Sequence, residues 1–410
     1  MLLGQKLKLV YLIGVAISTQ TPMPPPQPPS RSTVAPIASL PADKIAFPRS
    51  DMVGDGACSS CHREKVEGFH QTAHYLTSSL PSKDSILGNF TPGANVLRTS
   101  NPDLSFRMEE KEASFFQTAV EGAAPDSESR TERFGLVIGS GGKGQTYLYW
   151  RGDRLFQLPV SYWKELGWVN SPGYRDGEVN FERPIIPRCL ECHATYFDAL
   201  PPPPNRYSQA GFVVGITCEK CHGTGSEHVQ QEKLKPGPAA HSAVLNPDRF
   251  SRDRQMDLCA WCHAGHGRAA APAFSYVPGE ALEKYIEFAR PLPNAPIDVH
   301  GDQVDLLRKS RCYQSSGMTC LTCHDVHIAQ HDLSAFSQRC LNCHKPGSDA
   351  FPKVGHQPTS NCINCHMPKQ ETNLIVFDSK GNKKRPEVRT HWIKTYANTA
   401  TLSAPGQHEP

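Results

Sequence analysis

The sequence is poor in the side chains that usually fill a hydrophobic core. Hydrophobic residues make up 38% and aromatic residues 8% of the 410 residues, which is below the apolar content typical of globular domains. Proline and glycine are abundant instead, with 36 and 31 residues. A chain of this length would normally suggest two or three domains with ordinary cores. Its composition predicts that something other than side chains supplies much of the interior.

The sequence also lacks a long apolar run after its first twenty residues, so no membrane span is predicted in the rest of the chain. At the N-terminus, two lysines precede a short apolar run over 9–17, and Ala16 and Ser18 form a small-residue cleavage site. This pattern is typical of a secretory signal peptide. An uncleaved anchor is the alternative, but the run is short for a membrane span. We predict a signal peptide over 1–18 and a periplasmic, extracellular or cell-surface location.

A strong excess of charge of one sign is absent as well. The formal net charge is only +3, and two of these charges belong to lysines of the predicted signal peptide. Nucleic-acid binding is therefore not expected. The short basic stretch over 380–385 is interpreted as a solvated loop.

Cysteine and histidine, in contrast, are frequent and strictly patterned. Fourteen of the fifteen cysteines belong to seven copies of the pattern Cys-x-x-Cys-His. The copies, numbered motif 1 to motif 7 in chain order, are Cys58-Cys61-His62, Cys189-Cys192-His193, Cys218-Cys221-His222, Cys259-Cys262-His263, Cys320-Cys323-His324, Cys340-Cys343-His344 and Cys362-Cys365-His366.

This pattern is the attachment site of c-type haem. The two thiols form thioethers to the haem vinyl groups, and the histidine that follows binds the iron. A shuffled chain of this composition would contain roughly 0.02 such matches. The predicted cofactors are therefore seven covalently attached haem c groups with their iron.

Two other uses of these cysteines explain the pattern less well. Structural zinc sites use Cys-x-x-Cys pairs, but they do not require a histidine directly after the second cysteine in every copy. Disulfides would place no demand on the neighbouring residue. Haem attachment accounts for all seven copies.

Full bis-histidine ligation needs seven histidines outside the motifs, and eleven of the eighteen histidines are available. The candidates are His70, His74, His228, His241, His266, His300, His327, His331, His356 and His391, whereas His408 falls in a tail that is expected to fray. His70, His300 and His356 are included in the predicted ligand set. Bis-histidine ligation implies low reduction potentials, because a methionine ligand would raise them.

Sequence spacing constrains some of these candidates. His327 lies three residues after His324 and cannot reach the far face of the same haem, so it is expected to serve a neighbouring one. His70 and His74 have i, i+4 spacing on a probable helix and would project from one face. We expect at least one of the two to bind a haem. Met367 directly follows His366 and is too close to cap that haem.

Four segments resemble the cytochrome c-552/4 family of multihaem cytochromes. They are Ala57-Cys58-x-x-Cys61-His62 with Phe69 and His74, Gly215-Ile-Thr-Cys218-x-x-Cys221-His222-Gly223-x-Gly225-Ser-Glu-His228, Gly317-Met-Thr-Cys320-x-x-Cys323-His324-Asp-x-His327 and Cys362-x-x-Cys365-His366-Met367-Pro368. The order of motifs is similar to the cytochrome portion of relatives that continue into tetratricopeptide repeats. The resemblance implies that His74, His228, His327 and His391 are distal ligands and that the haems are closely stacked.

The chain departs from these relatives in two respects. No helical repeat array follows His391, and Cys312 is an extra thiol outside every motif, interpreted as a buried free cysteine. Ammonia-forming nitrite reductases, which the chain resembles distantly, often have lysine in place of the motif histidine at the catalytic haem. All seven motifs here have histidine.

The predicted fold class is mainly α with much irregular structure, a haem-packed cytochrome with a small antiparallel β meander near 130–165. The predicted domains are the signal peptide, a Pro-rich disordered linker over 19–50, a multihaem domain over 51–395 and a disordered tail over 396–410. A β-containing insertion is expected over about 100–185, with hairpin turns at 139–144 and 151–153, and helix is expected over 280–289.

These features favour an exported heptahaem electron-transfer protein. Its expected partners are redox proteins of unknown identity and the cytochrome c maturation machinery. The alternative is an oxidoreductase in which one haem with an open coordination position acts on a small nitrogen or sulfur compound, in a pocket formed by Tyr147, Tyr149, Tyr162 and Lys164. A filament of stacked cytochromes is a third hypothesis. The sequence favours the first.

Overall fold

The computed structural model describes residues 50–396, except 124, 236, 238–242, 266, 289–301, 346–360, 373–374 and 380–381. The predicted signal peptide and almost all of the predicted linker and tail lie outside the described residues. The candidate ligands His241, His266, His300, His356 and His408 also lie outside them. No helix in the described ranges is long and apolar enough to cross a membrane.

The predicted fold class was wrong. Helices account for 28% and strands for 27% of the described structure, and the strands form several antiparallel sheets. The prediction failed because it assigned the interior to cofactor alone and expected only a small meander. The interval between motif 1 and motif 2 instead folds into two sheets that share an apolar core.

Ten strands build these two sheets. They are β1 (Ser78–Ser79), β2 (Val96–Arg98), β3 (Leu104–Lys111), β4 (Ser114–Glu121), β5 (Glu128–Arg133), β6 (Leu136–Ile138), β7 (Gly144–Arg151), β8 (Arg154–Gln157), β9 (Val160–Trp163) and β10 (Gly167–Asn170). The four-stranded sheet has the order β2-β3-β4-β5. The six-stranded sheet has the order β1-β6-β7-β9-β10, with β8 paired to β7. All of these pairings are antiparallel.

Alternating apolar residues hold the two sheets together. Phe106 and Met108 of β3 and Tyr147 and Tyr149 of β7 are fully buried in one cluster that includes side chains of both sheets. Successive side chains of a strand point to opposite faces, so residues two apart line the same face. These two strands therefore contribute the core between the sheets.

The other face of the six-stranded sheet is apolar as well. Leu136, Leu148 and Leu155 are buried in a second cluster with Leu190 and Ala194 from the segment of motif 2. A sheet with two covered faces needs apolar residues at successive positions, as in parallel sheets buried on both sides. The sheet thus joins the sandwich core to the part of the chain that carries the motifs.

The predicted hairpin turn over 139–144 is confirmed, because β6 ends at Ile138 and pairs with β7 from Thr146 onward. Gly139 has φ +115, and a Cβ there would lie 2.6 Å from the carbonyl oxygen of Gly144.

The prediction of a helix over 280–289 was wrong. That segment forms a 3-10 turn over Leu282–Lys284 followed by a strand.

Nine helices are described, most of them short. They are α1 (Gly54–Phe69), α2 (Pro187–His193), α3 (Cys218–His222), α4 (Ser226–Leu234), α5 (Arg252–His263), α6 (Gln303–Arg308), α7 (Arg311–Gln314), α8 (Leu333–Leu341) and α9 (Cys362–His366). Four two-stranded sheets accompany them: β11 (Ala194–Ala199) with β12 (Tyr207–Val214), β13 (Gly267–Ala269) with β14 (Ile286–Phe288), β15 (Lys369–Glu371) with β18 (Glu387–Arg389), and β16 (Phe377–Ser379) with β17 (Asn382–Lys384).

Candidate haem site

The motifs coincide with single helical turns. Motifs 2, 3, 4 and 7 lie in α2, α3, α5 and α9, which all end at the motif histidine, and motif 1 lies inside α1. Motif 5 begins in a 3-10 turn, and motif 6 begins with Cys340 and Leu341, the last two residues of α8. Residues three apart in a helix lie on the same face. One turn therefore presents both cysteine sulfurs of a motif to the same side.

All seven motifs line one continuous cavity. Both cysteines and the histidine of every motif contribute to its wall, and its volume is about 3430 Å³. Pockets for a single small ligand usually measure about 300–1,000 Å³. The space is thus several times larger than one cofactor requires, and every pair of sulfurs that could be bonded to haem faces it. The residues present fit multiple haem groups.

Four motif histidines each face a histidine from a different part of the chain. The pairs, with the distances between ring centres, are His62 with His228 at 6.5 Å, His222 with His327 at 6.1 Å, His263 with His74 at 6.0 Å and His324 with His391 at 6.3 Å. An imidazole nitrogen binds a metal at about 2 Å, so two imidazoles on opposite sides of one metal ion have ring centres roughly 6 Å apart. The four separations fit an iron ion between each pair.

Hydrogen bonds fix the orientation of several motif imidazoles. Nδ1 of His222 lies 2.8 Å from the carbonyl oxygen of Leu245, and Nδ1 of His366 lies 3.0 Å from that of Lys394. An Nδ1–H that donates to a carbonyl leaves Nε2 unprotonated, with its lone pair available for a metal. These partners hold the tautomer that an axial ligand needs.

Burial favours the neutral form of five of the eight paired histidines. It lowers the pKa of His263 to about 4, with further contributions from His74, His391 and His324. It also lowers the pKa of His391 to about 4, and it lowers the pKa values of His74, His324 and His327. Because only neutral imidazole binds a metal, the lowered pKa values favour these side chains as ligands.

His70 lies in a different environment from the other predicted ligands. It does not contribute to the cavity wall. Its Nε2 lies 3.0 Å from Oδ2 of Asp55, and its ring stacks on Tyr75 at 3.9 Å between centres. The predicted haem ligation by His70 therefore finds no support, because its imidazole already pairs with a carboxylate outside the cavity. Of the two histidines on this segment, His74 faces a motif histidine.

The four residues of the pocket expected for the alternative oxidoreductase do not line the cavity that holds the motifs. Tyr147 and Tyr149 are buried in the core between the two sheets, and neither Tyr162 nor Lys164 lines the cavity. Cys312, predicted to be buried, is half-buried and lines the cavity.

Helices that carry different motifs contact one another. Helix α1 with motif 1 packs against α3 with motif 3. Helix α2 with motif 2 packs against α5 with motif 4, where the Cys192 sulfur lies 4.0 Å from the carbonyl oxygen of Trp261. Helix α5 also contacts the 3-10 turn of motif 5, where the Cys320 sulfur lies 3.8 Å from that of Met256. In the holoprotein the cysteine sulfurs would be thioethers, so the contacts mark sites whose haems lie close together.

Two acidic side chains join the N-termini of α1 and α3. The Glu219 carboxylate accepts hydrogen bonds from the backbone N–H groups of Val53 and Gly54, at 3.0 Å each, and of Gly225, at 2.8 Å. Asp55 in turn accepts one from the N–H of Cys218 at 3.1 Å. Negative side chains satisfy unpaired N–H groups at helix N-termini and interact favourably with the helix dipole. Each of the two motif helices thus caps the other.

Replacing Asp55 with Asn should destabilise the protein by about 0.3–1 kcal/mol, because Asn keeps an oxygen that can cap α3 but removes the negative charge beside the helix N-terminus and His70. Burial raises the pKa of Asp55, but hydrogen bonds from His70 and from the backbone N–H of Cys218 lower it, and the pKa lies below the usual 3.8. A carboxylate with a depressed pKa stabilises the fold above its unfolded-state value. The contribution of Asp55 is therefore complete above pH 3.8 and is lost as the pH falls through the folded-state pKa.

Guanidinium unfolding followed by haem absorption should show the difference between wild type and Asp55→Asn at neutral pH, and this difference should shrink below pH 3.8. Asp84→Asn, at an exposed position, is the matched control and should leave stability unchanged. Equal stabilities of wild type and Asp55→Asn at neutral pH would contradict the capping role.

Sequence reasoning missed the charged residues that lie inside or directly beside the motifs. Glu191, Glu219 and Lys220 occupy positions between the two cysteines of motifs 2 and 3, and all three are buried. Arg188 directly precedes motif 2 and is also buried. A charged residue next to an apolar cofactor is unusual enough that these positions could have been singled out.

Comparison with known proteins agrees with the motif chemistry. Residues 173–223, which contain motifs 2 and 3, match the model of the family described as cytochrome c554 and c-prime. Among solved structures, the crystal structure of the outer cell wall cytochrome OcwA has a TM-score of 0.49 and 17% sequence identity, covering 84% of this chain and 80% of that one. No curated protein matches the chain.

The family match contains two complete haem-attachment motifs, and the same pattern recurs five more times on the wall of one cavity. The predicted membership among multihaem c-type cytochromes is confirmed. The chain is a multihaem c-type cytochrome.

Proposed function

We propose that the chain is an exported heptahaem cytochrome that transfers electrons through closely spaced, mostly bis-histidine haems. The observation that carries this proposal is the set of four histidine pairs on the wall of a single cavity. An iron with two protein ligands has no open position for a substrate, and such haems change only their oxidation state.

The pairs connect different haem sites. His74, which follows motif 1, pairs with the histidine of motif 4, and His228, which follows motif 3, pairs with that of motif 1. His327, after motif 5, pairs with the histidine of motif 3. A segment that carries one haem would therefore supply the second ligand of another, which fixes neighbouring haems relative to each other.

Contacts between the segments that carry the motifs suggest the order of the haems in space. Helix α1 with motif 1 packs against α3 with motif 3, and Lys220 of motif 3 lies over the Trp261 ring of motif 4. Helix α5 with motif 4 contacts the 3-10 turn of motif 5, whose His324 ring lies 5.2 Å from that of Phe336 in α8. Helix α8, which ends in motif 6, packs against α9 with motif 7. We infer a path through motifs 1, 3, 4, 5, 6 and 7, with the haem of motif 2 beside that of motif 4.

Exposure of the motif cysteines suggests where electrons enter and leave. Of the fourteen motif cysteines, all of which the structure describes, only Cys61 and Cys343 are exposed. They belong to motif 1 and motif 6, near opposite ends of the inferred path. Redox partners would dock where a haem edge comes close to solvent.

A redox titration followed by absorption and electron paramagnetic resonance tests the proposal. Most haems should be low-spin in both oxidation states, should titrate at low potentials and should not bind carbon monoxide when reduced. High-spin signals and carbon monoxide binding by most of the haems would contradict bis-histidine ligation.

Export is proposed from the N-terminal signal pattern alone, and the N-terminal sequence of the mature protein checks it.

A further inference from the structure

Two arginines leave buried guanidinium nitrogens without hydrogen-bond partners among the described residues. They are Nε and Nη1 of Arg188 and Nη1 of Arg339. Both residues line the cavity, and Arg188 is only 9% exposed. A buried donor without an acceptor costs about 1–3 kcal/mol. The arrangement therefore indicates an acceptor inside the cavity.

The two arginines occupy the same position relative to a motif. Arg188 directly precedes the first cysteine of motif 2, and Arg339 directly precedes that of motif 6. Arg188 also donates through Nη2 to the carbonyl oxygen of Trp261, which lies inside motif 4. The Arg339 guanidinium lies 5.2 Å from the centre of the Phe336 ring, which itself lies 5.2 Å from that of His324 in motif 5. Each guanidinium thus lies where two haem sites meet.

Arg188 lies at the contact between the helices of motifs 2 and 4, which is called the junction below. The sulfur of Cys192 lies 4.0 Å from the carbonyl oxygen of Trp261, and the sulfur of Cys262 lies 3.9 Å from that of Glu191. The two motif helices therefore contact each other reciprocally, with Arg188 beside the contact. The thioether edge of a haem bonded to either motif would come close to the guanidinium. The propionates of that haem lie at the opposite edge of the ring, so a carboxylate at this position would belong to a neighbouring haem.

The buried charges at this junction do not balance. Glu191 lies 3.5 Å from Nη1 of Arg188, too far for a good hydrogen bond, and its other oxygen accepts from the N–H of Phe274. Lys220 adds a second buried cation, with Nζ 3.9 Å from the centre of the Trp261 ring and 3.2 Å from the carbonyl oxygen of Thr195. Two cations and one anion leave an excess positive charge, which a carboxylate would compensate.

We propose that Arg188 and Arg339 bind propionate carboxylates of neighbouring haems that reach the contacts between motifs 2 and 4 and between motifs 5 and 6. The planar guanidinium fork matches a carboxylate and favours two parallel hydrogen bonds. A fixed positive charge beside a haem stabilises its reduced form, which carries one more negative charge, and so raises its reduction potential. The inference rests on the proposed function.

Replacement of Arg188 by Gln tests the inference in the holoprotein. Gln keeps hydrogen-bond donors but removes the charge, so one or two of the haem transitions in a spectroelectrochemical titration should move to lower potential. We expect a tenfold change in the reduction equilibrium of the affected haem, which for one electron equals about 59 mV. Carboxylate bands in the reduced-minus-oxidised infrared spectrum should change as well. Arg339→Gln should shift different transitions.

The conservative variant and a surface control complete the experiment. Arg188→Lys keeps the positive charge but loses the planar guanidinium fork. It should therefore change the infrared carboxylate bands but shift the reduction potential less than Arg188→Gln does. If Arg188→Gln does not accumulate, Arg188→Lys takes its place in the experiment. Arg175→Gln removes a guanidinium that is 81% exposed and should change neither readout. Arg188 variants that retain every haem and show wild-type potentials and infrared bands would overturn the inference. Wild-type protein without haem would instead overturn the proposed function.

Discussion

Production of the chain without haem attachment should yield a polypeptide that does not hold the described fold. The cavity of about 3430 Å³ opens to solvent and would then fill with water, so its mostly apolar wall would lose the cofactors that cover it. Exposed apolar surface costs roughly 25 cal/mol per Å², and proteins of ordinary size have net stabilities of only about 5–15 kcal/mol. The segments around the cavity should therefore collapse or unfold.

Near-ultraviolet circular dichroism and limited proteolysis of a leaderless chain made in the cytoplasm check this expectation. The same chain matured with haem is the control and should resist the protease. The β sandwich is the exception, because its core between the two sheets does not depend on the cavity. A resistant fragment spanning about 78–181 is therefore compatible with the account. A fully resistant haem-free chain with a cooperative unfolding transition would contradict it.

Replacing His74 with Ala should convert one haem from low-spin to high-spin and allow it to bind carbon monoxide. The ring of His74 faces that of His263 at 6.0 Å, the separation expected across one iron ion. Removal of the imidazole would leave the haem of motif 4 with His263 as its single protein ligand. The expected change is large because it alters the coordination number rather than a distant charge. Electron paramagnetic resonance and carbon monoxide difference spectra measure it.

His70→Ala is the matched control, four residues away on the same segment. His70 pairs with Asp55 and does not line the cavity, so its loss should leave all haems in their wild-type spin states. If His70→Ala rather than His74→Ala produced a high-spin haem, the proposed ligand assignment would be wrong. The pair thus separates the two histidines that sequence spacing alone could not distinguish.

The sequence predicted the haem-attachment chemistry because this chemistry is local. Two cysteines and a histidine within five residues are sufficient to identify each motif, whichever way the rest of the chain folds. The partners of the motif histidines are not local. His263 lies far along the chain from His74, and the same holds for His324 and His391. The resemblance to a family suggested which histidines are ligands, but only the tertiary structure shows which motif each one faces.

The sandwich was underestimated for an identifiable reason. β3 and β4 are joined by the two-residue turn Glu112-Ala113, in which both residues have positive φ, +49 and +56. Hairpin turns of this kind normally have Asn-Gly or Asp-Gly, which relieve the strain of positive φ. Without that signal the hairpin was not recognised from the sequence. Its apolar alternation at Leu104, Phe106 and Met108 was the remaining clue.

The intact mass of the mature protein tests the central claim most directly. The chain, purified from a host that attaches c-type haem, should be heavier than its processed polypeptide by the mass of seven haem groups, because all seven motifs present both sulfurs to the cavity. A mass equal to that of the bare polypeptide, or an excess of fewer than seven haems in fully matured material, would contradict the account.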